Sequence, residues 1–405
     1  MHFKKIWINL SIANLCIVAV LGVLMRSKII FDLPWIDYNR LVDTHGYFAF
    51  MGWATLALIT LMIHELPGAL YNKRKYHFFL GAIFLSSWAT LFTTPFESCK
   101  SISEYISIVY ILFTYIFSWI FIKDILKTTA TKTVKLLSIS SVLCLVLSSL
   151  GVFMLAYLFS VKSLNAILYR DALFGYLHLQ YNGFFTLAAF ALLFNKVISN
   201  TGDKAEKNIH HFSILLCLST LPSMFLAFLW HNITLPFQLI CIAGSILLFL
   251  SFMWFILCLP LLIKKFKLVI PSIRYMAISS LGAFLLKLFL QSLTIFNAVN
   301  ILVFGNRPMI MGFLHLIFLG FVTLFLIIYF TQKEILNSKS SFTQFALLLF
   351  TIAVILNEAL LMLQGLGGIL IAGNPLFSWY LWGVGILLLI GTLLIALARI
   401  RTKPV

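Results

Sequence analysis

Residues 170–187 read RDALFGYLHLQYNGFFTL, and residues 307–324 read RPMIMGFLHLIFLGFVTL. Nine of the eighteen positions are identical: Arg170/Arg307, Gly175/Gly312, Leu177/Leu314, His178/His315, Leu179/Leu316, Gly183/Gly320, Phe184/Phe321, Thr186/Thr323 and Leu187/Leu324. A weaker third copy over residues 39–56 keeps Gly52, Trp53, Thr55 and Leu56 in frame; Tyr47 takes the histidine position there and His45 lies two residues earlier. The chain therefore reads as three related units, about residues 1–135, 136–272 and 273–405, each with a histidine inside an apolar helix. An imidazole in lipid is costly, and three at one depth point to a cofactor.

The composition selects the solvent. Of the 405 residues 62% are hydrophobic and 10% charged, and apolar runs of about twenty residues recur along the whole length. This predicts an all-α polytopic membrane protein of twelve transmembrane helices. They start near Ile6, Tyr47, Phe78, Tyr105, Leu136, Ala172, Phe212, Leu235, Tyr275, Met309, Phe342 and Leu376. Open strands would leave backbone groups unpaired in hydrocarbon. The longest hydrophilic loop, Asn195 to His211, is too short to bury a core, so one membrane domain of three four-helix units is expected.

With the N-terminus placed in the cytoplasm, about 21 of the 29 lysines and arginines fall inside and about 7 outside, with Lys287 left within a span. Both termini are then cytoplasmic, in a membrane of the bacterial inner (plasma) type. The net charge of +17 follows from that asymmetry, and no nucleic-acid partner is needed to explain it. The first apolar run follows a basic start but lacks a small-residue cleavage site before Arg26, so it reads as a retained span. The six cysteines are isolated, with neither C-x-x-C nor C-x-x-C-H.

His45, His178 and His315 lie on spans 2, 6 and 10, all entering from the outer face. His178 and His315 sit about 12 Å along the helix from Arg170 and Arg307, and His45 about 7 Å from Arg40. A neutral imidazole offers one good lone pair, suited to haem iron or copper, while its other nitrogen needs a hydrogen-bond partner. Gly175 and Gly312, three residues before their histidines, open that face to a flat macrocycle or to another helix. Arg40, Arg170 and Arg307 are placed to meet carboxylates such as haem propionates. The competing reading is structural: intramembrane histidines, with Gln180 and Asn182 beside them, often join helices, and boundary arginines often snorkel.

The arrangement resembles subunit I of the heme-copper oxidase superfamily, the cytochrome oxidase and nitric oxide reductase type. Tyr38-Asn39-Arg40-Leu41-Val42-Asp43-Thr44-His45-Gly46 is similar to the stretch around that family's span-two low-spin haem ligand. Gly312-Phe313-Leu314-His315, followed by Gly320-Phe321, is similar to its His-x-His stretch, with His315 at the second histidine. His178, with Tyr181 after it, falls where the family has a copper ligand. The resemblance implies a b-type low-spin haem on His45 and His315, allows copper at His178, and implies further respiratory-type subunits and a quinol or cytochrome donor.

The departures bear on activity. Phe313 stands where the high-spin haem ligand belongs, and no His-His pair occurs inside span 7; His210 and His211 are at its inner end and His231 at its outer end. Full terminal oxidase activity is therefore not expected. The chain reads as a divergent member that carries electrons through a low-spin haem, an oxidoreductase component. Two alternatives stand beside this: a haem or copper protein for nitric oxide response, and a transporter using Lys287 and Glu358. These two residues both fall in the outer half of their spans, which predicts a buried ion pair assisted by Gln291 or Asn357. His64 and Glu65, at the inner end of span 2, are expected to act at the helix end.

Overall fold

Apolar runs satisfy their backbone in hydrocarbon by coiling, and every such run here is a helix. The computed structural model describes residues 2–66, 74–198, 202–266, 270–370 and 376–402. Among them are twelve helices long and apolar enough to cross a membrane, and no strand. They are Phe3–Ile30, Tyr38–Glu65, Arg74–Thr93, Ser101–Leu126, Lys132–Ser160, Ala166–Ile198, Lys204–Phe228, Leu235–Lys265, Pro271–Leu293, Arg307–Gln332, Ser341–Gly367 and Leu376–Arg401, numbered here as spans 1 to 12. Lys73, Lys267 and Lys403, counted among the basic loop residues, lie outside the described residues. Span 2 begins nine residues before its expected start at Tyr47. The reason is local: the Asp37 carboxylate accepts the Arg40 backbone N–H at 2.9 Å and starts the helix early.

The spans that carry His45, His178 and His315 form the core. Spans 2, 6 and 10 bury 83, 83 and 67% of their apolar length, against at most 44% for any other. They touch one another pairwise, and the Trp53 indole donates to the Thr323 hydroxyl at 3.0 Å. One phenylalanine from each meets the other two: Phe50, Phe185 and Phe318 have centroids 5.1 to 5.6 Å apart. The remaining nine spans close a ring around them in the order 1, 3, 4, 5, 7, 8, 9, 11, 12 and back to 1.

Each central span carries a wide π-helical segment at the same place in the repeated motif: Phe48–Thr55, Leu179–Phe185 and Leu316–Thr323. His178 and His315 immediately precede their segments; Tyr47 precedes the first, with His45 two residues earlier. A π turn adds one residue and loosens the backbone ladder, and such turns often occur at functional sites. The motif threonine compensates in span 6, where Thr186 Oγ1 donates to the Tyr181 carbonyl five residues back at 2.7 Å.

The motif glycines inside these segments serve close packing. A Cβ on Gly183 would lie 2.5 Å from the Cβ of Cys144 on span 5, and one on Gly320 would lie 3.2 Å from the Cβ of Ala283 on span 9. Gly183→Val is expected to destabilise the protein by about 1–3 kcal/mol through overpacking, whereas Gly282→Ala, with nothing within 4 Å, should be near neutral. Thermal unfolding in detergent measures both; equal effects would contradict the packing role.

Candidate functional site

His45 and His315 come together between spans 2 and 10, within Coulombic reach of each other and of Arg26 on span 1. The two nitrogens of His315 have different partners. Its Nδ1 lies 2.8 Å from the Met311 carbonyl one turn back and donates to it, which leaves Nε2 with the lone pair. His45 lies against the Val18 carbonyl, and its Nδ1 is buried with no hydrogen-bond partner. Gly22 on span 1 faces this ring: a Cβ there would touch its Cε1 at 3.4 Å. Both imidazoles keep a small part of their surface exposed.

Arg26 is the residue that sequence reading left outside. It ends an apolar run, and with its rotation unknown it reads as a flanking cation. In the fold its guanidinium turns inward, donating to the Leu381 carbonyl of span 12 and to Asn357 Oδ1 of span 11. Asn357 Nδ2 donates in turn to Glu358 Oε1 at 3.0 Å, while Glu358 Oε2 is buried without a partner. Arg26 and Glu358 are thus linked through one amide and by their opposite charges. The expected Lys287–Glu358 pair does not form. Depth alone suggested it, but the two side chains turn to different neighbours.

Lys287 is 1% exposed, and its ammonium lies 5.7 Å from the Phe284 ring. Among the described residues no carboxylate is within salt-bridge distance of it; the imidazole of His178 is its titratable neighbour. A buried amine without an anion is destabilising. Lys287→Met is therefore expected to raise stability by about 1 kcal/mol or more, read as a higher unfolding temperature; a lower one would show that the amine holds the bundle together.

His178 belongs to a different bundle. Its Nε2 donates to the Thr220 carbonyl of span 7 at 2.8 Å and its Nδ1 accepts from Asn182 Nδ2 at 3.1 Å, so both nitrogens are engaged. Gln180 Nε2 reaches across to Ser148 Oγ of span 5 at 2.8 Å. These polar groups join helices, the structural one of the two readings. Among the described residues, no three or more His, Cys, Asp or Glu side chains gather as they would around a metal ion.

Further along the same helix, aromatic rings fill the space between spans 6 and 10. Phe190, Phe212, Phe255, Phe284 and Phe321 from spans 6 to 10 interlock, with the Phe190–Phe284 and Phe284–Phe321 centroids 4.7 and 4.8 Å apart. Phe313 and Tyr181 line a cavity of only about 20 Å³, room for about one water. Gly175 and Gly312 meet helices: Met224 of span 7 at 3.5 Å and Met362 of span 11 at 3.2 Å.

The arginines divide. Arg170 donates to the Phe304 carbonyl and lies over Trp230 at 4.2 Å, beside Asp171, which accepts from Trp230 Nε1 at 3.0 Å and from His231 Nε2 at 2.8 Å. It is held by protein. Arg307 is exposed, 5.5 Å from the Tyr38 ring, and Arg40 is half-buried near Asp43. At the opposite end of the central spans, Glu65 binds both Lys4 and Lys333, and its carbonyl accepts from Asn195 Nδ2 at 2.9 Å. This residue is more than a helix end: it ties spans 1, 2, 6 and 10 together.

A scan against protein-family models finds no match to this chain, and a search of curated proteins finds none either.

Proposed function

We propose that the protein is a membrane electron carrier whose low-spin b-type haem is held by His45 and His315. The observation that carries this is the state of the two imidazoles. One is anchored through Nδ1 with Nε2 left over, the other keeps an orphaned buried nitrogen, and the two rings lie within Coulombic reach of each other. A neutral imidazole whose second nitrogen is fixed by a carbonyl is the arrangement that iron ligation requires. Bound there, a b-type haem would supply a one-electron carrier. The protein supplies the rest. Arg26 brings a positive charge close to both ligands, Asn357 holds that guanidinium in place, and the phenylalanine triad of spans 2, 6 and 10 keeps water from the centre. Arg307, exposed at the start of the span that carries His315, is the cation we assign to a haem carboxylate; Arg170 is held by the Phe304 carbonyl and Trp230.

The π segments at matched positions support an origin in three related units with a threefold relation among spans 2, 6 and 10. His178 spends both nitrogens on hydrogen bonds, which argues against copper there, and oxygen reduction is not part of this reading. The transporter alternative loses its motivation with the separation of Lys287 from Glu358. The basic loops support cytoplasmic termini in a bacterial-type inner membrane, with a quinol or cytochrome donor and partner subunits supplying electrons. Extraction of the purified protein with acidified acetone should yield about one protohaem per chain, as expected for a single bis-histidine site; no haem after expression in haem-replete cells would end the proposal.

A further inference from the structure

Spans 3 and 4 leave a groove of about 640 Å³ between them, lined by neither His45 nor His315 and almost wholly by carbon. Its floor is made of small residues on span 3, Gly81, Ala82 and Ala89, and its walls of larger ones such as Leu85 and Tyr105, both strongly exposed. On span 3 the lining runs from His77 to Ala89, about 18 Å of helix. That is close to the depth of one leaflet, half of a hydrocarbon core about 30 Å thick.

The His77 end is polar. Trp7 Nε1 donates to His77 Nδ1 at 3.4 Å, so the neutral ring carries its proton on Nε2 and can donate from there. Arg74, exposed and one turn before His77 and Phe78, lies on the same helical face as the lining. Lys75 beside it is paired with Asp124 at 2.9 Å, whereas Arg74 is exposed at that mouth. The contact of Phe78 with Phe113, centroids 5.7 Å apart, narrows the groove there. An alkyl chain one leaflet long, ending in a group that is anionic and accepts hydrogen bonds, matches each of these features. A partner helix would not need the guanidinium.

We infer that this groove is a binding site for an anionic glycerophospholipid, with one acyl chain between spans 3 and 4 and its phosphate at Arg74 and His77. The full-length protein is reconstituted with equal amounts of phosphatidylglycerol and phosphatidylcholine, one of them carrying a photoreactive acyl chain, and labelled peptides are mapped. Labelling of the groove by phosphatidylglycerol should exceed that by phosphatidylcholine by about fivefold, the worth of one cation at the surface. Arg74→Gln should abolish the preference while keeping the labelling. Ala82→Phe and Ala89→Phe, each projecting into the recess, should abolish groove labelling by both lipids and leave labelling elsewhere unchanged. Equal labelling of the groove by the two lipids in the wild type, no labelling of it at all, or a preference that survives Arg74→Gln would each overturn the site. Because two filling variants at separate heights are used, misfolding of one does not remove the test.

Discussion

Replacing His315 by alanine should strip the purified protein of haem, from about one equivalent to below about a tenth, and His45→Ala should do the same. A bis-histidine iron loses one of its two axial bonds in either variant, and the remaining imidazole is half of a site. His178→Ala is the matched control. It removes a buried ring of the same size from a central span at the same place in the motif, but a ring whose nitrogens are spent on Thr220 and Asn182. It should cost about 1–3 kcal/mol of stability, from the hydrogen-bond partners left unsatisfied, and retain haem. Haem content by pyridine haemochromogen, set beside the unfolding temperature, reads both effects. Loss of haem in His178→Ala with retention in His45→Ala would move the site to spans 6 and 10.

The second large effect concerns Arg26. Its guanidinium bridges spans 1, 11 and 12 and sits opposite in charge to a Glu358 carboxyl group whose Oε2 has no other partner. Removing one member of such a network leaves the other uncompensated, so Arg26→Leu should destabilise the protein by about 3–5 kcal/mol. Glu358→Leu should cost a comparable amount. The double variant should cost less than the sum, with a coupling of roughly 1–3 kcal/mol. The measurement is a double-mutant cycle on unfolding in mixed micelles. Additive losses would mean that Asn357 alone organises Arg26, and that the carboxyl group serves something else.

The contrast between Arg26 and Lys287 shows where the sequence stops being legible. The number of spans was readable because it depends on apolar length, a quantity that adds along the chain. The early start of span 2 at Asp37 was a matter of one capping side chain. The rotation of each helix about its axis, however, depends on all its neighbours at once. Lys287 and Glu358, expected at similar depth, turn toward different neighbours, and Arg26, which reads as a boundary cation, turns into the protein. The π segments were invisible for a related reason. Counting along an ideal helix assumes the regular turn that those segments abandon, although the motif glycine and threonine that accompany them are in plain view. The convergence of His45 with His315 was anticipated only through a family resemblance in two short stretches. The orphaned nitrogen and the anchored one that now support the assignment are features of geometry alone.

The most direct test of the central claim is the visible spectrum of the purified protein, oxidised and then reduced with dithionite, before and after carbon monoxide. A haem whose two axial positions are both filled by His45 and His315 should give sharp α and β bands on reduction, and carbon monoxide should leave them unchanged. A spectrum without haem bands, or reduced bands that shift on exposure to carbon monoxide, would contradict the account.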